Sequence, residues 1–280
     1  MRPRTRHRTQ SRGPLLLPAV CLAALAYLLG AAQSLAISPL AAHKASYRLA
    51  MHRTSMSSDV IAVRGRLEVR LEASCDGWKI EQFLGFSLLG QEGELLEHVA
   101  HISSFESTED REFIFATRAY EDRELTEELS GIARRLSRKR VRVNYSKPRR
   151  HSEALPADTL FPSQHVERIL AAAHSGRRSL LNTVFDGSTE DNPFEISTVF
   201  GRPRVDRTSR FKALRRHTLW PVRLAYYKLG ALAPAPDFEM GIQLYDHGIA
   251  GNMLYDYGDF SVDVLLETVQ LLPMPSCVTD

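Results

Sequence analysis

Strict alternation of apolar and charged residues at positions 66–73 is the feature that most constrains the fold of this chain. Leu67, Val69 and Leu71 fall on one face of an extended segment, and the intervening arginines and glutamates fall on the other. Successive side chains of a β-strand point to opposite faces, so this pattern predicts an antiparallel strand with one buried and one exposed face.

Twelve other segments carry weaker versions of the same alternation, and Asp-Gly or His-Gly pairs suited to tight turns separate several of them. So many strands predict one large antiparallel sheet, barrel or sandwich. No linker rich in Gly, Ser or Pro divides them, which favours a single domain. The predicted strands are 45–53, 78–88, 94–106, 111–120, 125–136, 141–146, 179–185, 194–201, 217–229, 238–246, 252–258 and 260–271.

One segment after Pro162 has the apolar spacing of an amphipathic helix instead. Ser163 is expected to cap its N-terminus, and Gly176 suits the position just after its C-terminus. A helix of about 12 residues needs an apolar surface to lie on, so we expect it to cover the sheet. The residues that form the apolar stripe are Val166, Ile169, Leu170 and Ala173.

Residues 1–36 have the three parts of a secretory signal peptide. Five arginines and no acidic residue precede an apolar run from Leu15 to about Leu29, and small residues follow up to Ala36. A permanent membrane anchor is the alternative, but the run contains Pro18 and is short for a bilayer span. We expect cleavage after Ala36, which leaves residues 37–280 as a single β-rich exported domain.

Removal of that segment changes both the charge and the cysteine count. The full chain has 36 Lys and Arg residues against 33 Asp and Glu residues, a formal net charge of +3. Without the five N-terminal arginines, 31 basic residues remain against 33 acidic residues, a formal net charge of −2. The charge of the exported chain therefore no longer argues for a nucleic-acid partner. Two cysteines remain, Cys75 and Cys277, and an exported pair is expected to form one disulfide. Two unpaired buried cysteines are the alternative.

No motif in the sequence indicates a catalysed reaction. The nucleophile elbow, the phosphate-binding loop, the zinc-protease motif and the dinucleotide fingerprint are absent from it. His98 and His101 are three residues apart, which puts them on opposite faces of a strand, so no metal site is predicted. An exported hydrolase with a non-standard site is the least favoured function, with His165 or His247 as its candidate residues.

Two stretches of the sequence are strongly basic. Residues 134–150 include nine basic residues and no acid, and residues 202–216 include seven basic residues and one acid. An ordinary solvated face is the favoured interpretation of both. The alternative is contact with anionic phospholipid or lipopolysaccharide headgroups. The candidate residues for that contact are Arg138, Lys139, Arg140 and Arg142.

A series of short motifs in the chain from residue 43 onward resembles the EipB-like family of periplasmic cell-envelope-integrity proteins. Their order and spacing together are more specific than any one of them. The motifs are H-K-A-S-Y at 43–47, C-D-G-W at 75–78, L-P-A-D-T-L-F-P at 155–162 with His165, F-D-G at 185–187, Y-D-Y-G-D-F at 255–260 and the terminal Cys277.

The resemblance implies a mainly β fold, namely a large bent antiparallel β-spiral or half-open barrel with at least one amphipathic helix packed on it. It also implies a disulfide between Cys75 and Cys277, and a location in the periplasm of a Gram-negative bacterium. The family has no assigned reaction and no cofactor, so the resemblance implies a non-enzymatic protein. It further implies that the protein supports envelope integrity by binding an envelope protein or a lipid component. A carrier that holds an acyl chain between sheet and helix is the alternative, and nucleic acid is not an expected partner.

Overall fold

A computed structural model describes residues 40–107, 112–137, 140–190, 192–230 and 235–277. The predicted signal peptide at 1–36 lies outside the described residues. No helix in the described ranges is both long enough and apolar enough to cross a membrane.

Fifteen strands and one helix make up the regular structure of the described residues. The helix is α1 (Pro162–His174). The strands are β1 (His43–Thr54), β2 (Val60–Ala73), β3 (Gly77–Gly90), β4 (Leu95–Ser107), β5 (Glu112–Glu121), β6 (Glu124–Ser137), β7 (Arg140–Lys147), β8 (His151–Leu155), β9 (Ser179–Val184), β10 (Phe194–Phe200), β11 (Arg204–Val205), β12 (Thr218–Lys228), β13 (Phe238–Tyr245), β14 (Ala250–Asp256) and β15 (Phe260–Leu271).

All of these strands belong to one antiparallel sheet. Its order is β8-β7-β6-β5-β4-β3-β2-β1-β15-β14-β13-β12-β10-β9, and β11 pairs with β12 beside β10. Each segment predicted from alternation coincides with one of these strands, so the prediction of one large antiparallel sheet is confirmed. β8 and β11 were not predicted, because they are short and mostly exposed and therefore carry no apolar alternation.

One face of the sheet, called here the inner face, carries most of the buried side chains. Leu67 of β2 lies on this face between Tyr47 of β1 and Leu84 of β3. The charged residues that alternate with it point to the outer face, as the sequence pattern predicted. Tyr47 and Leu67 pack in an apolar cluster with Leu214, and Phe113 lies in a second, aromatic cluster.

The sheet curls, so that strands far apart in its order enclose the same interior. Ile80 of β3 and Leu224 of β12 line one cavity, although five strands separate β3 from β12 in the sheet. The end strands β8 and β9 do not pair with each other. The architecture is therefore the expected half-open barrel, and the chain between β8 and β9 includes α1.

The two ends of α1 are fixed in different ways. Phe161 is the N-cap residue, so the expectation that Ser163 caps the helix is wrong. The backbone N–H groups of Ser163 and Gln164 instead donate to the carboxyl oxygens of Glu106 on β4, at 2.7 and 3.2 Å. At the other end Gly176 adopts a positive φ of 74° and donates to Ala173 at 3.1 Å, so its predicted position is confirmed.

α1 lies against the inner face of the sheet. Ile169, Leu170 and Ala173 pack in one apolar cluster with Trp220 and Val222 of β12. These helix residues belong to the stripe that the sequence predicted, so the helix covers the sheet as expected.

Candidate ligand cavity and charged surfaces

A cavity of about 270 Å³ lies between α1 and the inner face of the sheet. α1 contributes His165, Val166 and Ile169 to its wall, and the facing strands contribute side chains such as Ile196 and Leu224. Because these are inward positions of alternating strands, the wall is mostly hydrocarbon. Such a lining suits an apolar group better than a polar substrate.

His165 brings an imidazole ring to the wall of this cavity. The residue is 6% exposed, and its Nε2 has no hydrogen-bond partner in the part of the chain that the structure describes. Burial lowers the pKa of the ring to about 4, because the interior disfavours the charged form, so the ring is neutral near pH 7. An unpartnered nitrogen in an apolar wall can make one hydrogen bond to a bound molecule.

The free energy of unfolding is expected to fall as the pH drops from 7 towards 4 because of His165. An unfolded histidine titrates near pH 6.5, whereas the pKa of the folded ring is about 4, so the unfolded chain binds the extra proton in this interval. The stabilising contribution is complete above about pH 6.5 and falls progressively below it, by roughly 3 kcal/mol in all.

Urea unfolding of the wild type and of His165→Leu at pH 7 and pH 4.5 measures this contribution. The unfolding free energy of the wild type minus that of His165→Leu should be about 2–3 kcal/mol lower at pH 4.5 than at pH 7, whichever protein is the more stable at pH 7. Between pH 7 and pH 8 it should stay constant. A difference that is independent of pH throughout would contradict the assignment to His165.

A hydrolytic site is not assembled around His165. Ser104, Asp186 and Ser188 also border the cavity, and the Asp186 carboxylate accepts the backbone N–H of Ser188 at 2.9 Å. Among the described residues no hydrogen bond joins His165 to either serine or to Asp186. His247, the other candidate histidine, lies in a different group of side chains. Among the residues that the structure describes, neither histidine is therefore hydrogen-bonded to a serine or cysteine side chain.

A second group of titratable side chains meets where β12 begins and β13 ends. His217, Asp246 and His247 each place one possible ligand atom within 4.8 Å of the others. Both Asp246 oxygens are engaged, however: Oδ1 lies 2.7 Å from His217 Nδ1, and Oδ2 accepts the backbone N–H of Thr218 at 2.9 Å. We assign this cluster to holding the turn after β13 against β12.

A wider groove of about 920 Å³ lies on the outer face across β1 to β7. Arg118 and Lys147 both form ion pairs with Glu128 at 3.1 Å, and Arg70 forms one with Glu72. Hydrogen bonds from Lys147 and Arg118 lower the pKa of the Glu128 carboxyl group. Much of the charge in this groove is therefore already paired within the protein.

The predicted anionic-surface residues are only partly described. Arg140 and Arg142 lie exposed on the outer face of β7. Arg138 and Lys139 lie outside the described residues. Contact of these four residues with an anionic surface stays a prediction.

Other basic residues of 134–150 are already engaged. Arg134 forms an ion pair with Glu112 at 2.7 Å. Arg135 points to the inner side, where its guanidinium donates to the carbonyl oxygens of Ala157 and Thr159 at 2.6 and 2.9 Å. This stretch is therefore less cationic in the fold than its sequence indicates.

Cys75 lies in the turn between β2 and β3 and is bonded to Cys277, which follows β15. The Cα atoms are 5.5 Å apart, and 202 positions separate the two residues in sequence. Because β1 lies between β2 and β15 in the sheet, the bridge crosses the end of β1 and ties the C-terminal segment to the β2–β3 turn.

Comparison with known proteins gives a consistent result across sequence and structure. The chain is 27% identical over 240 residues to the cell envelope integrity protein EipB of Brucella abortus, covering 83% of this chain and 85% of that protein. It is similar to the crystal structure of a beta-barrel-like protein of a domain of unknown function from Brucella abortus. That similarity has a TM-score of 0.79 and 26% identity, and it covers 84% of this chain and all of the other.

The family assignment follows from the extent of the match. Residues 34–273 match the sequence profile of the EipB-like family, which is nearly the whole of the described chain. The name of the Brucella relative refers to the cell envelope and to its integrity rather than to a catalysed reaction. The chain therefore belongs to the EipB-like family.

Proposed function

We propose that this protein acts in the periplasm and supports the integrity of the cell envelope by binding a lipid component in the cavity beneath α1. The relationship to EipB supports a role in envelope integrity. The cavity carries the proposal further, because it lies between α1 and the inner face and is lined mostly by apolar side chains.

The size of the cavity limits what it can hold. At about 270 Å³ it lies just below the roughly 300–1,000 Å³ of ligand pockets in general. Side chains such as Tyr47, Phe113 and Leu214 fill much of the remaining interior. A single acyl segment fits this space better than a whole lipid, and His165 Nε2 would bind an ester or carboxyl oxygen if it carries the proton.

A matched pair of substitutions on β10 tests the proposal. Ile196 lines the cavity, whereas Val199 points to the outer face and is 52% exposed. Native mass spectrometry of wild-type protein taken from its own host should show a lipid adduct. Ile196→Phe should lose that adduct because the larger ring fills the cavity, and Val199→Phe should keep it.

The same variants connect binding to function. In a strain that lacks the gene, wild type and Val199→Phe should restore resistance to detergent and to wall-targeting antibiotics, whereas Ile196→Phe should not. Val166→Phe, which fills the cavity from the side of α1, replaces Ile196→Phe if circular dichroism shows that the latter does not fold. A wild-type protein without ligand, or a deletion with unchanged sensitivity, would contradict the proposal.

A further inference from the structure

The second basic stretch presents all of its cationic residues at the surface. Residues 202–216, called here the basic loop, lie between β10 and β12 and contain β11. Every Lys and Arg side chain in the loop belongs to an exposed residue. These residues are Arg202, Arg204, Arg207, Arg210, Lys212, Arg215 and Arg216.

The basic loop is held to the barrel by a small number of buried contacts. Leu214 is 1% exposed and packs in the same apolar cluster as Tyr47, and Phe211 packs against that cluster. Asp206 accepts the hydroxyl proton of Tyr245 at 2.6 Å and the backbone N–H of Thr208 at 3.1 Å. These contacts fix the conformation of the loop. Arg210 and Arg215 also donate to the carbonyl oxygens of Leu266 and Ser209, each at 3.0 Å, and the side chains of the other five cations form no hydrogen bond with any described residue.

The charge of the basic loop is not neutralised within the protein. In the part of the chain that the structure describes, none of its seven cations forms an ion pair with a carboxylate. Asp206 is the single acid in the loop. It accepts hydrogen bonds from Tyr245 and Thr208, and the charge of Arg204 also acts on it, so it offsets one of the seven positive charges. The loop carries a formal charge of +6, while the rest of residues 37–280 has 24 basic against 32 acidic residues.

From this separation of charge we infer that the basic loop is a docking surface for the anionic headgroups of a lipid membrane. None of the cavities described above is lined by these seven cations, so their charge is spread over a surface rather than directed at one small ion. Val205 is 48% exposed between Arg204 and Arg207. An apolar side chain flanked by cations suits the boundary between headgroups and acyl chains.

Vesicle binding of the untagged protein tests this inference. Vesicles of phosphatidylcholine with 30% phosphatidylglycerol should sediment the wild type at 0.1 M NaCl, and vesicles of pure phosphatidylcholine should not. At 0.5 M NaCl binding should be lost, because salt shortens the Debye length from about 10 Å at 0.1 M towards 3 Å at 1 M.

Two charge-matched double variants locate the surface. Arg202→Glu with Arg207→Glu should weaken binding to the anionic vesicles at least tenfold. Arg140→Glu with Arg142→Glu makes the same change of charge on β7 and should alter binding less than twofold. Arg202→Lys with Arg207→Lys keeps the positive charge and should keep the binding. This variant separates loss of charge from loss of fold.

Three results would overturn the inference. The first is equal weakening by both double variants, and the second is weakening by the β7 variant alone, which would place the surface at Arg140 and Arg142. The third is full competition by 10 mM inorganic phosphate, which would show a site for a single anion. Because none of these residues lines the cavity beneath α1, lipid occupancy of that cavity should be the same in all the variants.

Discussion

Replacement of Cys75 by serine is expected to lower the free energy of unfolding by about 2–5 kcal/mol, the range for loss of a native disulfide. The bridge joins residues 202 positions apart and so restricts almost the whole of residues 40–277 in the unfolded state. Chain-entropy arithmetic for so long a loop gives roughly 5 kcal/mol as an upper figure. Urea unfolding of the two proteins measures the difference.

The matched experiments separate the bond from the side chain. Cys277→Ser and the double variant should both lose as much stability as Cys75→Ser, because all three remove one bond. Adding reductant should lower the stability of the wild type to that of the variants, and its mass should rise by about two hydrogens. Free thiols at both positions without reduction, or a melting temperature equal to that of the wild type, would contradict the bridge.

The strands were predictable because their physical signal is local. At positions 66–73 each inward residue is apolar and each outward residue is charged, and the structure places Leu67 and Val69 on the inner face accordingly. β8 could not be found in this way, because four of its five residues are exposed and it gains its hydrogen bonds only from β7. Its pairing depends on the tertiary fold, which the local alternation of apolar and polar residues does not reveal.

The candidate site was predictable only in outline. The apolar stripe of α1 indicated that the helix would cover the sheet, but the cavity forms because β3 and β12 face each other across the curled sheet. The sequence contains no local pattern that shows β3 and β12 to be close in space. His165 could be identified as a candidate from its motif, whereas its unpartnered Nε2 is a consequence of the three-dimensional packing.

The two basic stretches show that the number of basic residues in a segment does not give its unpaired charge in the folded protein. Residues 134–150 have more basic residues than residues 202–216 and no acid at all. In the fold, Arg134 and Lys147 nonetheless have carboxylate partners from neighbouring strands, and Arg135 is directed to backbone carbonyls. The sequence cannot show these cross-strand partners, because they come from β5 and β6 by register rather than by proximity in the chain.

The N-terminus of α1 gives the clearest case in which a local rule failed. Ser163 follows Pro162 and precedes the apolar stripe, which is the usual position of a capping serine. The residue lies inside the first turn, however, and its N–H group is among those that need an acceptor. Glu106 supplies the acceptor from β4, 57 positions earlier in the chain, and it is only 1% exposed.

Substitution of Glu106 by alanine is therefore expected to lower the free energy of unfolding by about 2–5 kcal/mol. Two buried N–H groups, those of Ser163 and Gln164, would lose their acceptor, and each such loss costs roughly 1–3 kcal/mol. The loss also removes a carboxyl group from the positive end of the helix dipole. Urea unfolding, with far-ultraviolet circular dichroism as the signal, measures the change.

Two control variants make this expectation specific to the cap. Ser163→Ala should change stability by less than about 0.5 kcal/mol, because its hydroxyl does not cap the helix. Glu106→Gln keeps one acceptor oxygen and should fall between the wild type and Glu106→Ala. If Ser163→Ala were as damaging as Glu106→Ala, the serine would be the cap after all. If Glu106→Ala is much more damaging than Ser163→Ala, a carboxyl group on a distant strand fixes where α1 begins. That carboxyl group then also holds the helix over the cavity beneath it.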